Sequence, residues 1–242
     1  MKGVVLAGGL GTRLFPLTKA TNKHLLPVYN KPMVFYPIEL LKSCGIDEII
    51  VVVGGPHAGH FLPALRNGED LGLSGINFAF QEGGDGGIAD ALLCAEHFVG
   101  DDSCAVILGD NIFIDNTIRE KVASFARYPS GCMLFTKEVP DPERFGVPVI
   151  EDGKVIGILE KPETPPCNKA IVGLYLYDNT VFDKIRTLTE SRRGELEVTD
   201  LNVKYLEEEG ARFSDIEGLW MDCGTPEALI EIGRVMYEKS RS

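Results

Sequence analysis

Continuously apolar runs recur through the first half of this chain, "GVVLAG", "EIIVVV" and "CAVILGD", with helix-patterned segments between them. A strand apolar at every position is buried on both faces, so this alternation predicts a mainly parallel sheet covered by helices on each side. The intervening helices are read at "VFYPIELLKSCG", ending at Gly45, at the short "FLPALRNG", at "GIADALLCAEHFVG" and at "TIREKVASFARY", with a further strand at "INFAFQ". In "GIADALLCAEHF", Ile88, Ala91, Leu92, Ala95 and Phe98 fall on one helical face, which needs a sheet to pack against.

After Tyr128 the rhythm becomes strand-rich, with "GCMLFTKEV", "GVPVIED", "KVIGILEK" and "AIVGLYLYD", and Asp152-Gly153 marks a hairpin. Helices return at "TVFDKIRTL", "EVTDLNVKYLEEEG" and "PEALIEIGRVMYEK". The expected assembly is α/β, a three-layer α/β/α arrangement around a mixed, mainly parallel sheet. A small β-rich insertion is expected near residues 131 to 170.

The 242 residues suffice for one large domain, and 44% hydrophobic with 25% charged residues is ordinary for a globular chain. A net charge of -12 argues against an extended nucleic-acid surface, so any anionic ligand must be held by a local basic cluster. No apolar run approaches the ~18 residues of a membrane helix, and none at the N-terminus reads as a secretory segment. The six cysteines are dispersed with no Cys-x-x-Cys pair, which fits free thiols in a reducing, cytoplasmic setting.

The first strand opens into "AGGLGTRLFPLTKATNKH". Glycines there let backbone amides converge on phosphate. It is not a Rossmann fingerprint, because Leu14 stands at the third glycine position and Pro16 interrupts the helix that should follow. The P-loop pattern is absent too, since Thr12 and Arg13 follow Gly11. What remains is a broader loop with Arg13 near its tip and Lys23 beyond, both suited to a polyphosphate. Taken alone, the glycines fit a plain turn with surface cations better, and it is the other residue groups that favour phosphate.

Asp110 ends "AVILGD" at the carboxyl edge of a buried strand, where open α/β sheets bind ligands, and Asp222 in "GLWMDCGT" has a similar setting. Two converging carboxylates suit Mg²⁺, although either residue can instead cap a helix. Lys161 and Glu160 in "ILEKPET" lie where the backbone leaves the sheet, and Arg193 precedes an acidic helix start, so each pairs a ligand role with a bland surface role. Gln81 ends "NFAFQ" and offers an amide matched to the N3–H and O4 of thymine or uracil. His57 and His60 are three apart without accompanying ligands, and His97 ends an amphipathic helix as a surface residue.

Taken in order, "LAGGLGTRLFPLT", "NKHLLPV", "LGDN", "DPERFGV", "EKP", "VGLYLYD", "RGELEVTD" and "WMDCGT" resemble the sugar nucleotidyltransferases, most closely the short form of the glucose-1-phosphate thymidylyltransferases. The likeness runs from Lys2 to about Arg234. It implies a single nucleotide-diphospho-sugar transferase domain, Rossmann-like, over residues 1–242, with a nucleotide-binding part of about 1–130, a sugar-binding part of about 131–225 and a C-terminal helix of about 225–239. The implied reaction takes dTTP and α-D-glucose 1-phosphate to dTDP-glucose and pyrophosphate with Mg²⁺, in a homo-oligomer (dimer or tetramer). The implied nucleotide site is Leu6, Gly8, Gly9, Gly11, Thr12, Arg13, Gln81, Gly86 and Asp110, with Arg13, Lys23 and Lys161 as the catalytic cations. The implied metal ligands are Asp110 and Asp222, and the implied sugar-phosphate site is Gly146, Glu160, Lys161, Val172 and Arg193.

The chain departs from the pattern at His24, at "EGGDGGIADA" and at Val172, where threonine is frequent. Longer members continue past the position of Ser242 into a helical extension used in assembly and feedback. Competing readings are a transferase using UTP or another sugar phosphate, and a nucleotide-sugar sensor without turnover. Arg13, Lys23, Asp110, Lys161 and Asp222 are all present, which disfavours the sensor.

Overall fold

The structure, a computed structural model, describes residues 1–83, 86–208 and 210–241. In chain order its first half runs β1 (Lys2–Ala7), β2 (Pro27–Val28), β3 (Lys31–Pro32), α1 (Phe35–Ser43), β4 (Glu48–Gly54), α2 (Phe61–Leu65), β5 (Gly75–Gln81), α3 (Ile88–Leu93), α4 (Glu96–Val99), β6 (Cys104–Leu108), β7 (Asn111–Ile114) and α5 (Ile118–Arg127). The second half runs β8 (Cys132–Glu138), β9 (Gly146–Glu151), β10 (Lys154–Glu160), β11 (Lys169–Tyr177), α6 (Val181–Ile185), α7 (Val198–Glu208), β12 (Arg212–Asp215), β13 (Leu219–Asp222) and α8 (Pro226–Lys239).

The central sheet has the order β10-β9-β11-β6-β1-β4-β5, with β8 on β11 and β12 on β8. Strands β6, β1, β4 and β5 are parallel, and β11 runs antiparallel to β6, so the sheet is mixed as expected. Along β1, Val4 and Leu6 enter one core with residues of α3, α4, α6 and α7, whereas Val5 and Ala7 enter another with residues of α1, α2 and α5. Each strand residue is thus covered whichever way it points, which is why these strands carry no polar alternation.

At the hairpin between β9 and β10, Asp152 and Gly153 both take positive φ, 48° and 75°. This is the twist-matched turn that Asp-Gly favours. The helix expected across 87–100 instead comes as α3 and α4. Tight Leu92–Ala95 and Ala95–Phe98 backbone bonds, each spanning three residues, interrupt the regular helix while the apolar face stays on the core.

Two features lie outside the sequence expectation. Strand β12 adds in parallel to β8, and β13 pairs antiparallel with β7 in a separate two-stranded sheet that matches Asp222 to Asn111. Asp222 therefore projects from this small sheet rather than from the edge of the central one. No helix among the described residues is long and apolar enough to cross a membrane.

Candidate active site

The carboxyl ends of β1 and β6 and the strands β10, β11 and β13 surround a cavity of about 800 Å³. Its position at the carboxyl edge of the parallel strands follows from the sheet: backbone leaves the core there and side chains converge. After β1 the chain makes two short 3₁₀ turns, Thr12–Leu14 and Leu17–Lys19, in place of a long helix, as Pro16 requires. Leu6, Gly8, Gly9, Thr12, Arg13 and Lys23 reach the cavity wall. Gly11 takes φ 66° and packs against Lys23, since a Cβ there would lie 2.8 Å from the Lys23 Cβ. Its role is to let the loop fold onto that lysine.

Lys23 Nζ donates to Asp110 Oδ2 at 2.5 Å, and Asn111 Nδ2 donates to Asp110 Oδ1 at 3.0 Å. Burial pushes the Asp110 carboxyl up, but the charge of Lys23 and these two hydrogen bonds outweigh it, so the group stays well below the usual carboxylate range. Asp222 stands the other way: burial and the nearby Asp110 charge raise it, against Arg13, Lys23 and Arg144. Arg144 and Arg13 approach Asp222 Oδ2 at 3.5 and 3.7 Å. The Cys223 N–H donates to the Asp110 carbonyl at 2.8 Å and ties the two carboxylate-bearing turns together.

Asp222 is not the cap of α8, because Thr225 accepts from Ala228 N in that role. Burial and Lys23 hold His24 neutral, with its pKa lowered to about 3, and its Nδ1 bonds Asn22 Oδ1 at 2.7 Å.

At the other end of the cavity Glu160 Oε2 accepts from the Thr199 hydroxyl at 2.5 Å, and Lys161 and Arg193 lie 3.1 and 3.3 Å from Oε1. Lys161 has φ 43°, its N–H held by the Phe145 carbonyl at 3.0 Å, so β10 ends in a left-handed turn that keeps the ammonium at the cavity. Arg193 also reaches Glu197 at 2.7 Å, and that hydrogen bond raises the guanidinium further.

Most of the expected residues therefore converge, Gly146 and Gln81 among them. Val172 does not. On β11, Ile171, Gly173 and Tyr175 face the cavity, while the Val172 side chain is fully buried in the opposite core. A threonine hydroxyl there would also point away from the cavity, so valine removes no contact. Gly86 lies behind the wall, which is formed by Gly87.

Sequence reasoning did not single out Asn111, Arg144 or Trp220. Asn111 Oδ1 accepts from Trp220 Nε1 at 2.7 Å and from Gly173 N at 3.2 Å, joining β7, β11 and β13 beside Asp110. A signal for Arg144 was present in "DPERFGV", where the aromatic neighbour Phe145 packs edge-on against Trp220. Among the described residues no group of three or more His, Cys, Asp and Glu gathers as a metal cage; His57 and His60 only pack ring to ring. His97 is exposed.

The cavity thus offers one group of cations, Arg13, Lys23 and Arg144, around Asp110 and Asp222, and a second, Lys161 and Arg193, around Glu160, an arrangement suited to two phosphate groups. A family profile described as nucleotidyl transferase matches residues 2–239. A glucose-1-phosphate thymidylyltransferase of Neisseria meningitidis is 42% identical over 235 residues, 96% of this chain and 81% of that protein. A Bacillus anthracis crystal structure assigned as a glucose-1-phosphate thymidylyltransferase, in complex with a sucrose, superposes with a TM-score of 0.91 at 43% identity, over 97% of this chain and 94% of that one. A UDP-glucose pyrophosphorylase bound to UDP-glucose shares the fold, with a TM-score of 0.83 at 24% identity over 98% of each chain. With the profile spanning the chain almost end to end and relatives this similar over nearly all of it, the chain belongs to the nucleotidyl transferase family.

Proposed function

We propose that this protein transfers a deoxythymidylyl group from dTTP to α-D-glucose 1-phosphate, giving dTDP-glucose and pyrophosphate for deoxysugar (such as dTDP-rhamnose) and surface-polysaccharide synthesis. The observation that carries the reading is the placement of Arg13 and Lys23 at one end of a single cavity and Lys161 and Arg193 at the other, with Asp110 and Asp222 lining it as well. A sugar-phosphate oxygen attacks the α-phosphorus, the bond from that phosphorus to the bridging oxygen of the β-phosphate breaks, and pyrophosphate leaves. No protein nucleophile is required, so the residues act by positioning and by neutralising charge.

In this reading the loop from Gly8 to Thr12 cradles the nucleotide and Leu6 packs beside it. Arg13 and Lys23 hold the triphosphate and then the departing pyrophosphate. Gln81 meets the base. Gly146 and Glu160 line the sugar, while Lys161 and Arg193 grip its phosphate. Residues of about 1–130 supply the nucleotide half and about 131–225 the sugar half.

The donors fit Mg²⁺. Asp110 and Asp222 provide hard oxygens on two turns linked by a backbone hydrogen bond, leaving the remaining positions to phosphate and water. When bound, Mg²⁺ would supply charge neutralisation at the phosphates. UTP is a second candidate donor, because uracil presents the same N3–H edge to Gln81.

The test is metal-dependent pyrophosphate release from purified protein, with dTTP or UTP against a panel of sugar 1-phosphates. Fastest release with dTTP and glucose 1-phosphate is the expected result. Another best pair would change the substrates, and no release from protein that binds nucleotide would remove the reaction.

A further inference from the structure

Gln81 ends β5 beside Gly8, is 3% exposed and lines the cavity. Its amide nitrogen donates to the Gly87 carbonyl at 3.2 Å and to Asp90 Oδ2 at 2.8 Å. A carbonyl and a carboxylate oxygen only accept, so the side chain must turn its NH₂ toward them; the flipped amide would set Oε1 against two oxygens. Oε1 therefore faces the opposite way, toward Gly8, where an added Cβ would lie 2.8 Å from it. Glycine at 8 leaves that oxygen uncovered. At Gly86 a Cβ would come within 2.4 Å of Asp90 Oδ2, so glycine there makes room for the carboxylate instead of touching a base.

We propose that Asp90 is a positioning residue for base selection: by fixing the Gln81 amide it presents a lone acceptor to the cavity, which takes a pyrimidine carrying N3–H and rejects cytosine. Thymine and uracil donate from N3, whereas cytosine in the same pose opposes a nitrogen lone pair to Oε1. Aspartate suits this role better than asparagine, because an asparagine amide can itself donate to Oε1 and let the glutamine turn over. The inference rests on the nucleotide reading of the cavity and adds to it the residue that sets the polarity of the base contact.

The test measures binding, so it does not depend on turnover. Calorimetric titration of the wild-type protein with dTTP, UTP, CTP and N3-methyl-dTTP should show the first two bound about tenfold or more tighter than the last two, the worth of one hydrogen bond gained against an acceptor left unpaired. In Asp90→Asn and Asp90→Ala, with folding checked by thermal unfolding, the CTP-to-dTTP affinity ratio should rise about tenfold as the amide is released. N3-methyl-dTTP bound as tightly as dTTP by the wild type overturns the proposal. So does a folded variant that keeps the wild-type ratio, or one in which every nucleotide weakens by the same factor. Intact base preference without pyrophosphate release would remove the proposed reaction and leave this inference standing.

Discussion

Replacing Asn111 with alanine tests whether one buried amide holds the site together. Asn111 is 2% exposed, and its Oδ1 is the acceptor for both Gly173 N and Trp220 Nε1, while its Nδ2 serves Asp110. Gly173 is buried within β11, so its N–H would lose its protein acceptor and depend on a water entering from the cavity it borders, at a cost of about 1–3 kcal/mol. Trp220 and Asp110 border the cavity and can recruit water, so each loses nearer 0.5–1 kcal/mol, roughly the net worth of one hydrogen bond. The expected sum is about 3 kcal/mol. For a chain of this size that is a fall in Tm of roughly 6–12 °C.

Urea unfolding should show a lower midpoint with an unchanged slope, because the surface exposed on unfolding stays the same. Asn111→Asp keeps the acceptor but sets a second carboxylate against Asp110. One carboxyl of that pair is then raised above its unfolded value, so the variant is destabilised at neutral pH and recovers as pH falls toward about 4. Equal losses for the alanine and aspartate variants at every pH, or an alanine variant within about 0.5 kcal/mol of wild type, would refute the acceptor argument.

Asp110→Asn and Asp222→Asn should each lower turnover while leaving a folded protein by circular dichroism; every tenfold loss is about 1.4 kcal/mol of transition-state stabilisation, and full activity in both would remove the two-carboxylate metal reading. Lys161→Ala should raise the KM for glucose 1-phosphate by roughly ten- to hundredfold, from a charge-assisted bond worth about 1.5–3 kcal/mol, and an unchanged saturation curve would sink that assignment. Asp115 accepts from Thr117 N, Ile118 N and Gly218 N, so it caps α5 and ties it to the start of β13. Burial opposes the charge there, but these hydrogen bonds prevail and lower its pKa to about 2. Its contribution is therefore full above the unfolded value near 4 and fades as pH falls through about 2; Asp115→Ala should lose about 1 kcal/mol at pH 7, and an equal loss at pH 2 would contradict the cap.

The central strands were legible because burial on both faces erases their polar alternation: Val4 to Ala7 and Ile49 to Val53 can only be interior. The β7–β13 pair was not, since "NIFI" and "LWMD" are short and each finds its partner more than a hundred residues away, a pairing that local pattern does not encode. The same long-range pairing hid the Asn111 contacts. Val172 shows a second limit. Its place on β11 was readable, but "AIVGLYLY" is apolar throughout and gives no clue to which residues face the cavity. At "EGGDGGIADA" the glycines drew attention to the backbone, while the informative contact is the side chain of Asp90 against Gln81; Gly84 and Asp85 lie outside the described residues.

Charge explains how a chain of net -12 would accommodate the two phosphorylated substrates proposed for this cavity. The cavity is lined by Arg13, Lys23, Arg144, Lys161 and Arg193, and equally by Asp110, Glu160, Glu195, Glu197 and Asp222, with each cation within ion-pair distance of a carboxylate. These ten side chains are thus balanced in charge, and the long cationic ones are held in place by partners that phosphate oxygens can replace. Ordering those side chains beforehand lowers the entropic cost of gripping a phosphate. The same balance leaves the substrates' own negative charge without full compensation, since every cation drawn to a phosphate uncovers a carboxylate. A divalent cation shared between the phosphates and the uncovered Asp110 and Asp222 would restore neutrality, which makes metal and nucleotide affinities mutually dependent. Titrating Mg²⁺ into the protein with and without dTTP measures that dependence directly: tight metal binding in the absence of nucleotide would contradict the charge argument.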